Sequence, residues 1–130
     1  MNFMNKVDDK GLIFANLNDF DAKYGHYFDT QGWSDALEKF DRDLDKIKSL
    51  MKEDDLLIIC SDGHGCDPVY TGLHTREYSP LICYHKNIEF GKYLGDEKKL
   101  CDIAATIVDS LPLVYRIWLN RKNPSFYYLR

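Results

Sequence analysis

The strongest constraint on the fold of this chain is a pair of nearly unbroken apolar runs, each ending at a loop that carries a carboxylate and an imidazole. Leu56-Leu57-Ile58-Ile59-Cys60 gives way to Ser61-Asp62-Gly63-His64-Gly65. Upstream, Leu12-Ile13-Phe14-Ala15-Asn16-Leu17 gives way to Asn18-Asp19-Phe20-Asp21-Ala22-Lys23-Tyr24-Gly25-His26. An apolar run that does not alternate with polar residues reads as a strand buried on both faces, the habit of parallel sheets covered by helices. Ligands of such sheets bind beyond the carboxyl ends of the strands. Two neighbouring ends, each with its carboxylate and histidine, therefore predict one shared site. A further histidine follows in His74-Thr75-Arg76-Glu77.

Between the two runs, Trp33, Leu37, Phe40, Leu44, Ile47 and Met51 recur at spacings of three and four, the period of an amphipathic helix. Asp29 or Thr30 is the expected cap, and Lys46, Lys48 and Lys52 lie toward the C-terminal half, where the helix dipole favours cations. The charged run Glu38–Asp45 reads as the solvated side of this helix. Strand, helix and strand joined by short links predict a right-handed βαβ unit. Pro80–Tyr84 is a third candidate strand, residues 86–95 form a polar loop, and a second helix is expected from about Asp96 until Pro112 stops it. LVYRIWL and the aromatic, basic end of the chain read as packing against the sheet edge. The expected fold class is α/β: a three-layer, mostly parallel sheet with flanking helices, residues 1–130 forming a single domain.

With 130 residues, the chain is long enough for one core and short for two. A formal charge of −4 gives no general reason to bind nucleic acid or an anionic membrane, although cations could bridge an acidic surface to an anionic substrate. No run is long enough to cross a bilayer, and MNFMNKVDDK lacks the apolar centre of a signal peptide. Cys60, Cys66, Cys83 and Cys101 lack metal-ribbon spacing and read as reduced thiols of a cytoplasmic protein, with Cys60 and Cys83 as small buried hydrophobes.

Asp21, His26, Asp62, His64 and His74 present only carboxylate oxygen and imidazole nitrogen. That donor set suits Mn²⁺, Mg²⁺ or Zn²⁺ better than thiophilic metals, and a pair of such cations can hold the attacking and leaving oxygens of a phosphoryl group. His85 sits beyond a strand with no neighbouring carboxylate and receives no role.

The segment Asn16–His26 resembles the N-L-x-D-F-D-x-x-Y-G-H segment of the phosphopentomutases, in the alkaline phosphatase-like metalloenzyme superfamily. The register continues through Asp29, Gly32, Ala36-Leu37 and Phe40-Asp41. Asp54–Ile59 resembles the strand before the family's D-H-G-x-D-P motif, His74–Pro80 its H-T-R-E-Y-x-P segment, and Asp102–Ile107 its D-I-G-A-T helix. The resemblance covers roughly residues 10–110. It implies an alkaline phosphatase-like core and an isomerase of nucleotide metabolism. Such an enzyme moves a phosphoryl group between the 1- and 5-positions of ribose or deoxyribose, with two manganese ions and a phosphorylated threonine. By motif, Asp21, His26 and His74 would ligate one metal and Asp62 and His64 belong to the other. Arg76 and Glu77 would orient His74 or contact phosphate.

Three departures qualify that transfer. Gly63 separates an Asp and a His that are adjacent in the family, the connection from Asp67-Pro68 to His74 is one residue shorter, and Leu73 replaces an Asp. The family's N-terminal aspartate ligand, its phosphorylated threonine and its sugar-binding cap precede the part matched. The resemblance therefore implies at most one well-formed metal site here, no catalytic nucleophile, and a chain incomplete as a mutase by itself. Such a chain would pair with the missing N-terminal portion or self-associate through an open sheet edge. Two other readings stay open. One is a metal-dependent phosphatase or phosphoglycerate-mutase relative using Thr71 or Thr75; the other is a non-catalytic metal-binding or interaction module.

Overall fold

The computed structural model describes residues 11–62, 65–96 and 99–110, together with the backbone of 117–118 and 126–129. In chain order these form β1 (Leu12–Ala15), a π-helix (Phe20–Gly25), α1 (Thr30–Leu50), β2 (Leu56–Cys60), β3 (Leu81–His85), α2 (Cys101–Ser110), β4 (Ile117–Trp118) and β5 (Phe126–Leu129). The backbone divides into two compact units, one of Met1–Leu17 with Lys98–Arg130 and one of Asn18–Glu97.

In the Asn18–Glu97 unit, α1 forms where the apolar period predicts it. Asp29 is its cap, accepting the Gly32 N–H on Oδ1 at 2.8 Å. Thr30 does something else: its hydroxyl donates to the Pro68 carbonyl at 2.9 Å, joining the start of the helix to a distant loop. Phe20 of the π-helix meets Trp33 edge-on, ring centroids 5.4 Å apart. The charged run is the solvated face, as expected. Arg42 pairs with Glu38, while Lys39 and Lys46 both donate to Asp43 at 2.6 and 2.7 Å and hold its carboxyl down at about 2. Beyond Leu50 the chain turns extended at Met51, which is 4% exposed and the one buried apolar side chain among the described residues. Lys86 Nζ donates to the Met51 carbonyl, and Lys48 Nζ lies 5.2 Å from the Tyr84 ring centre, tying the end of α1 to the end of β3.

The strands require a correction. β2 pairs with β3 antiparallel, Leu56 opposite His85 and Cys60 opposite Leu81, and β1 pairs antiparallel with β5, Leu12 opposite Leu129 and Ala15 opposite Phe126. The expected parallel βαβ ladder between β1 and β2, and with it the mostly parallel three-layer sheet, is not formed among the described residues. For β2 and β3 the reason lies in the connection between them. A parallel crossover needs a covering element, usually a helix, between its strands. Residues 65–80 instead fold back through a turn closed by an antiparallel bridge between Cys66 and His74, which reverses the chain. The anticipated buried strands are also half-exposed: Ile58 and Ile59 are partly covered, whereas Cys60, Ile82 and Cys83 are exposed, so the two cysteines are not core residues.

In the other unit the end of the chain supplies the strand, β5, that lines the edge of β1, and β4 pairs with β5 in turn. α2 begins at Cys101, later than expected. Gly95 at φ +89° sits in the irregular stretch 91–96 that precedes it. All four cysteines are free.

Candidate metal centre

The site lies wholly within the Asn18–Glu97 unit and is built from two segments. The first is the π-helix, where a loop was expected. His26 N–H donates to the Asp21 carbonyl at 3.2 Å, five residues back. In an α-helix, residues five apart point about 140° from each other. The wider π turn places residue 26 nearly over residue 21, so both side chains leave on one side. Gly25 permits this because the turn packs against Cys66: a Cβ at 25 would fall 2.7 Å from the Cys66 Cβ.

The second segment is the reversal after β2. Asp67 N–H donates to the Leu73 carbonyl at 3.1 Å and Gly72 N–H to the Asp67 carbonyl at 2.9 Å. Inside that turn the Asp67 carboxylate accepts the N–H groups of Val69, Tyr70 and Thr71 at 2.8–3.2 Å, and these bonds hold its carboxyl below the usual carboxylate range. Gly72 at φ +59° has the left-handed backbone that favours glycine, which turns its carbonyl onto His26 Nδ1 at 2.8 Å. His74 then leaves the bridge to Cys66 alongside His26, their rings stacked 5.2 Å apart at 23°.

One oxygen organises the cluster. Asp21 Oδ1 lies 3.4 Å from His26 Nε2 and 3.1 Å from His74 Nε2, and the donor atoms of all three residues fall within 4.8 Å of one another. Metal–oxygen and metal–nitrogen bonds of about 2.1 Å at right or tetrahedral angles put ligand atoms about 3.0–3.4 Å apart, the spacing of Asp21 Oδ1 from each of the two imidazole nitrogens. A carbonyl only accepts, so the Gly72 contact fixes the proton of a neutral His26 on Nδ1 and leaves a lone pair on Nε2. A lone pair facing a carboxylate oxygen at that distance calls for a positive species between them, a proton or a cation. Nε2, Nε2 and carboxylate oxygen make a hard, three-donor set with solvent access, fitting a divalent cation that keeps open positions. Cys66 Sγ lies 3.4 Å from His26 Nδ1, but burial, reinforced by Asp21 and Asp67, pushes that thiol up and keeps it protonated.

The other expected site residues fare differently. Asp62 is exposed at the end of β2 and outside the cluster, while Gly63 and His64 lie outside the described residues. Arg76 and Glu77 are exposed, and neither bonds to His74 among the described residues. The Thr71 hydroxyl is tied into the turn through Asp67 and Leu73, and the Thr75 hydroxyl reaches the Gly65 carbonyl at 3.4 Å. Gly72 and Asp67 belong to the site although neither is a ligand: Gly72 offers only its carbonyl, and the Asp67 carboxylate is turned onto the amides of its own turn. The Asp-Pro that opens a turn and the glycine five residues later are the available signals.

The model of the metalloenzyme superfamily matches residues 2–114. The chain belongs to the metalloenzyme superfamily. Membership implies a metal cofactor, and the Asp21–His26–His74 cluster has the donors for one. Among curated proteins, the chain is similar to the phosphopentomutase of Clostridioides difficile, 51% identical over 112 residues that make up 85% of this chain and 28% of that protein. The phosphopentomutase of Alkaliphilus metalliredigens is 48% identical over 107 residues, 82% of this chain and 27% of its own length. That of Caldanaerobacter subterraneus subsp. tengcongensis is 50% identical over 101 residues, 77% of this chain and 25% of its length. This superfamily chain thus spans little more than a quarter of the relatives it matches. Among the described residues no helix is long and apolar enough to cross a membrane.

Proposed function

We propose that this chain supplies one half of a manganese centre in a phosphopentomutase-type enzyme of the cytoplasm, with Asp21, His26 and His74 as ligands and a pentose phosphate as substrate. The observation that carries the reading is the single Asp21 oxygen set 3.1 and 3.4 Å from two imidazole nitrogens in a superfamily defined by its metals. Bound there, a divalent cation supplies the positive charge that stabilises phosphoryl oxygens as the group is transferred. Asp21 brings the anionic charge of the half-site, His74 and His26 bring neutral nitrogens, and the Gly72 carbonyl keeps the His26 proton on the far side of its ring. Asp62 and His64 belong, in this reading, to the second metal. The exposed guanidinium of Arg76 takes phosphate oxygens through its fixed fork of donors, with Glu77 beside it. The two units act as one α/β domain, and the chain by itself turns over no pentose phosphate.

Titration of the purified chain with Mn²⁺, followed by electron paramagnetic resonance and calorimetry, tests the ligand set. The expected result is one bound Mn²⁺, with affinity lowered roughly 100-fold or more in His74→Ala and in His26→Ala. A wild-type chain that binds no Mn²⁺ overturns the site. Turnover of ribose 1-phosphate by the chain that His74→Ala abolishes overturns the reading that it is incomplete as a mutase.

A further inference from the structure

The His26 imidazole is useful as a ligand only while its proton stays on Nδ1, and what keeps it there is a carbonyl on a different loop. That carbonyl belongs to Gly72, whose left-handed backbone and whose place in space are both consequences of the turn Asp67–Leu73. The turn contains no buried apolar side chain: Val69, Tyr70 and Leu73 are exposed. Its order comes from hydrogen bonds, and most of those within it converge on one side chain. The Asp67 carboxylate accepts Val69 N–H on Oδ1 at 2.8 Å, Tyr70 N–H on both oxygens at 3.2 Å, and Thr71 N–H on Oδ2 at 3.1 Å, with the Thr71 hydroxyl at 3.4 Å. The residue after these three is Gly72.

We infer that Asp67 is a positioning residue for His26: by gathering the amides of Val69, Tyr70 and Thr71 it presents the Gly72 carbonyl to His26 Nδ1 and thereby selects the imidazole tautomer whose Nε2 faces Asp21. Its role differs from that of a ligand, since Asp67 points its charge into its own turn. The rival is that the two main-chain bonds, Asp67 N–H to Leu73 and Gly72 N–H to Asp67, hold the turn unaided. The inference concerns the half-site proposed above, yet its first consequence needs no metal.

The experiment compares the wild-type chain with Asp67→Ala and Asp67→Asn by long-range ¹H–¹⁵N correlation of the imidazole nitrogens at about pH 8.5, where an ordinary histidine is neutral. Wild-type His26 is expected as the Nδ1–H tautomer. Asp67→Ala is expected to move it toward the Nε2–H form. His85, whose Nδ1 accepts the Asn87 N–H, serves as an unmoved internal reference. Asp67→Asn keeps one accepting oxygen and turns an amide toward Thr71 N–H, so a small tautomer shift is expected there. Mn²⁺ affinity should fall about 10–100-fold in Asp67→Ala and stay within about threefold of wild type in Asp67→Asn. An unshifted His26 in Asp67→Ala overturns the inference. Should that variant lose its helical circular dichroism, Asp67→Asn decides, and an unshifted His26 there overturns it equally. If the wild-type chain binds no Mn²⁺ while the tautomer moves as described, the metal reading fails and the positioning role stands.

Discussion

Glycine substitutions separate the strain at Gly72 from its role in the site. Three of the described glycines, Gly91, Gly95 and Gly72, stand in graded circumstances. A Cβ at Gly91 would meet nothing within 4 Å on a backbone that any residue can adopt. Gly95, at φ +89°, has equal space but a backbone that L side chains rarely take. Gly72, at φ +59°, adds contact: its Cβ would fall 2.7 and 2.9 Å from the Phe28 ring and 3.3 Å from the His26 carbonyl. Replacing glycine by alanine gains about 0.4–1 kcal/mol from the unfolded chain where the backbone is compatible. Left-handed backbone costs about 1–2 kcal/mol for a residue with a Cβ. Gly91→Ala should thus be neutral to slightly stabilising, and Gly95→Ala destabilising by about 0.5–1 kcal/mol. At Gly72 the ring must also move. Phe28 is 54% exposed and has room to swing, so overpacking adds toward the low end of its usual ~1–3 kcal/mol, giving about 2 kcal/mol in all. Urea unfolding of the three variants reads these differences. Manganese titration should show a loss of about 10–100-fold only for Gly72→Ala, because only that carbonyl meets His26. A Gly72→Ala variant that matches Gly95→Ala in stability and retains wild-type metal affinity would refute both the packing argument and the part assigned to the carbonyl.

Asp29→Ala removes the α1 cap and should cost about 1 kcal/mol by urea unfolding, while Asp29→Asn retains most of it. Trp33→Ala deletes the partner of Phe20 at a half-buried position; about 2 kcal/mol is expected, below the ~3–5 kcal/mol of a fully buried aromatic, together with weakened Mn²⁺ binding because the π-helix carries Asp21. The Asp43 carboxyl is lowered from 3.8 to about 2 by Lys39 and Lys46. A lowered carboxyl stabilises the fold above its unfolded value and loses that contribution as pH falls through the folded one. The stability difference between wild type and Asp43→Asn should therefore be constant above about pH 5, shrink between about pH 4 and pH 2, and vanish below. Thermal unfolding across that range checks it.

How much of this was legible follows from where each signal resides. The period of Trp33, Phe40, Leu44 and Ile47 is local, and α1 appears within a residue of its expected ends. The apolar runs behind β1, β2 and β3 are equally local, and each forms its strand. Their partners were not legible, because an apolar run says that a strand wants covering and not which neighbour or direction will cover it. The direction of β3 is decided by the Cys66–His74 bridge, whose tight turn leaves no crossover. The site residues were readable as chemistry, and Asp21, His26 and His74 do come together. The route differs from the one expected: not parallel strand ends side by side, but a π-turn and a backbone reversal joined by Thr30 to Pro68 and His26 to Gly72. A carbonyl leaves no mark in a sequence beyond the glycine that bends it, and so the acceptor of His26 stayed hidden.

That route has a consequence for what stabilises the site. Among the described residues Met51 is the one buried apolar side chain, while Ile13, Phe14, Leu56, Leu81 and Ile82 are each more than a third exposed on the strands. Apolar burial, normally the main driving force of folding, therefore does little to fix Asp21 against the two histidines. The work falls to short polar contacts: the Asp29 cap, the Thr30–Pro68 bond, the fan of amides on Asp67 and the Gly72 carbonyl. Each such bond is worth about 1 kcal/mol net, small against the fold but large against the fraction of an ångström that a ligand set tolerates. Substitutions in these bonds should accordingly shift metal affinity more than they shift unfolding, and substitutions on the exposed strand faces the reverse.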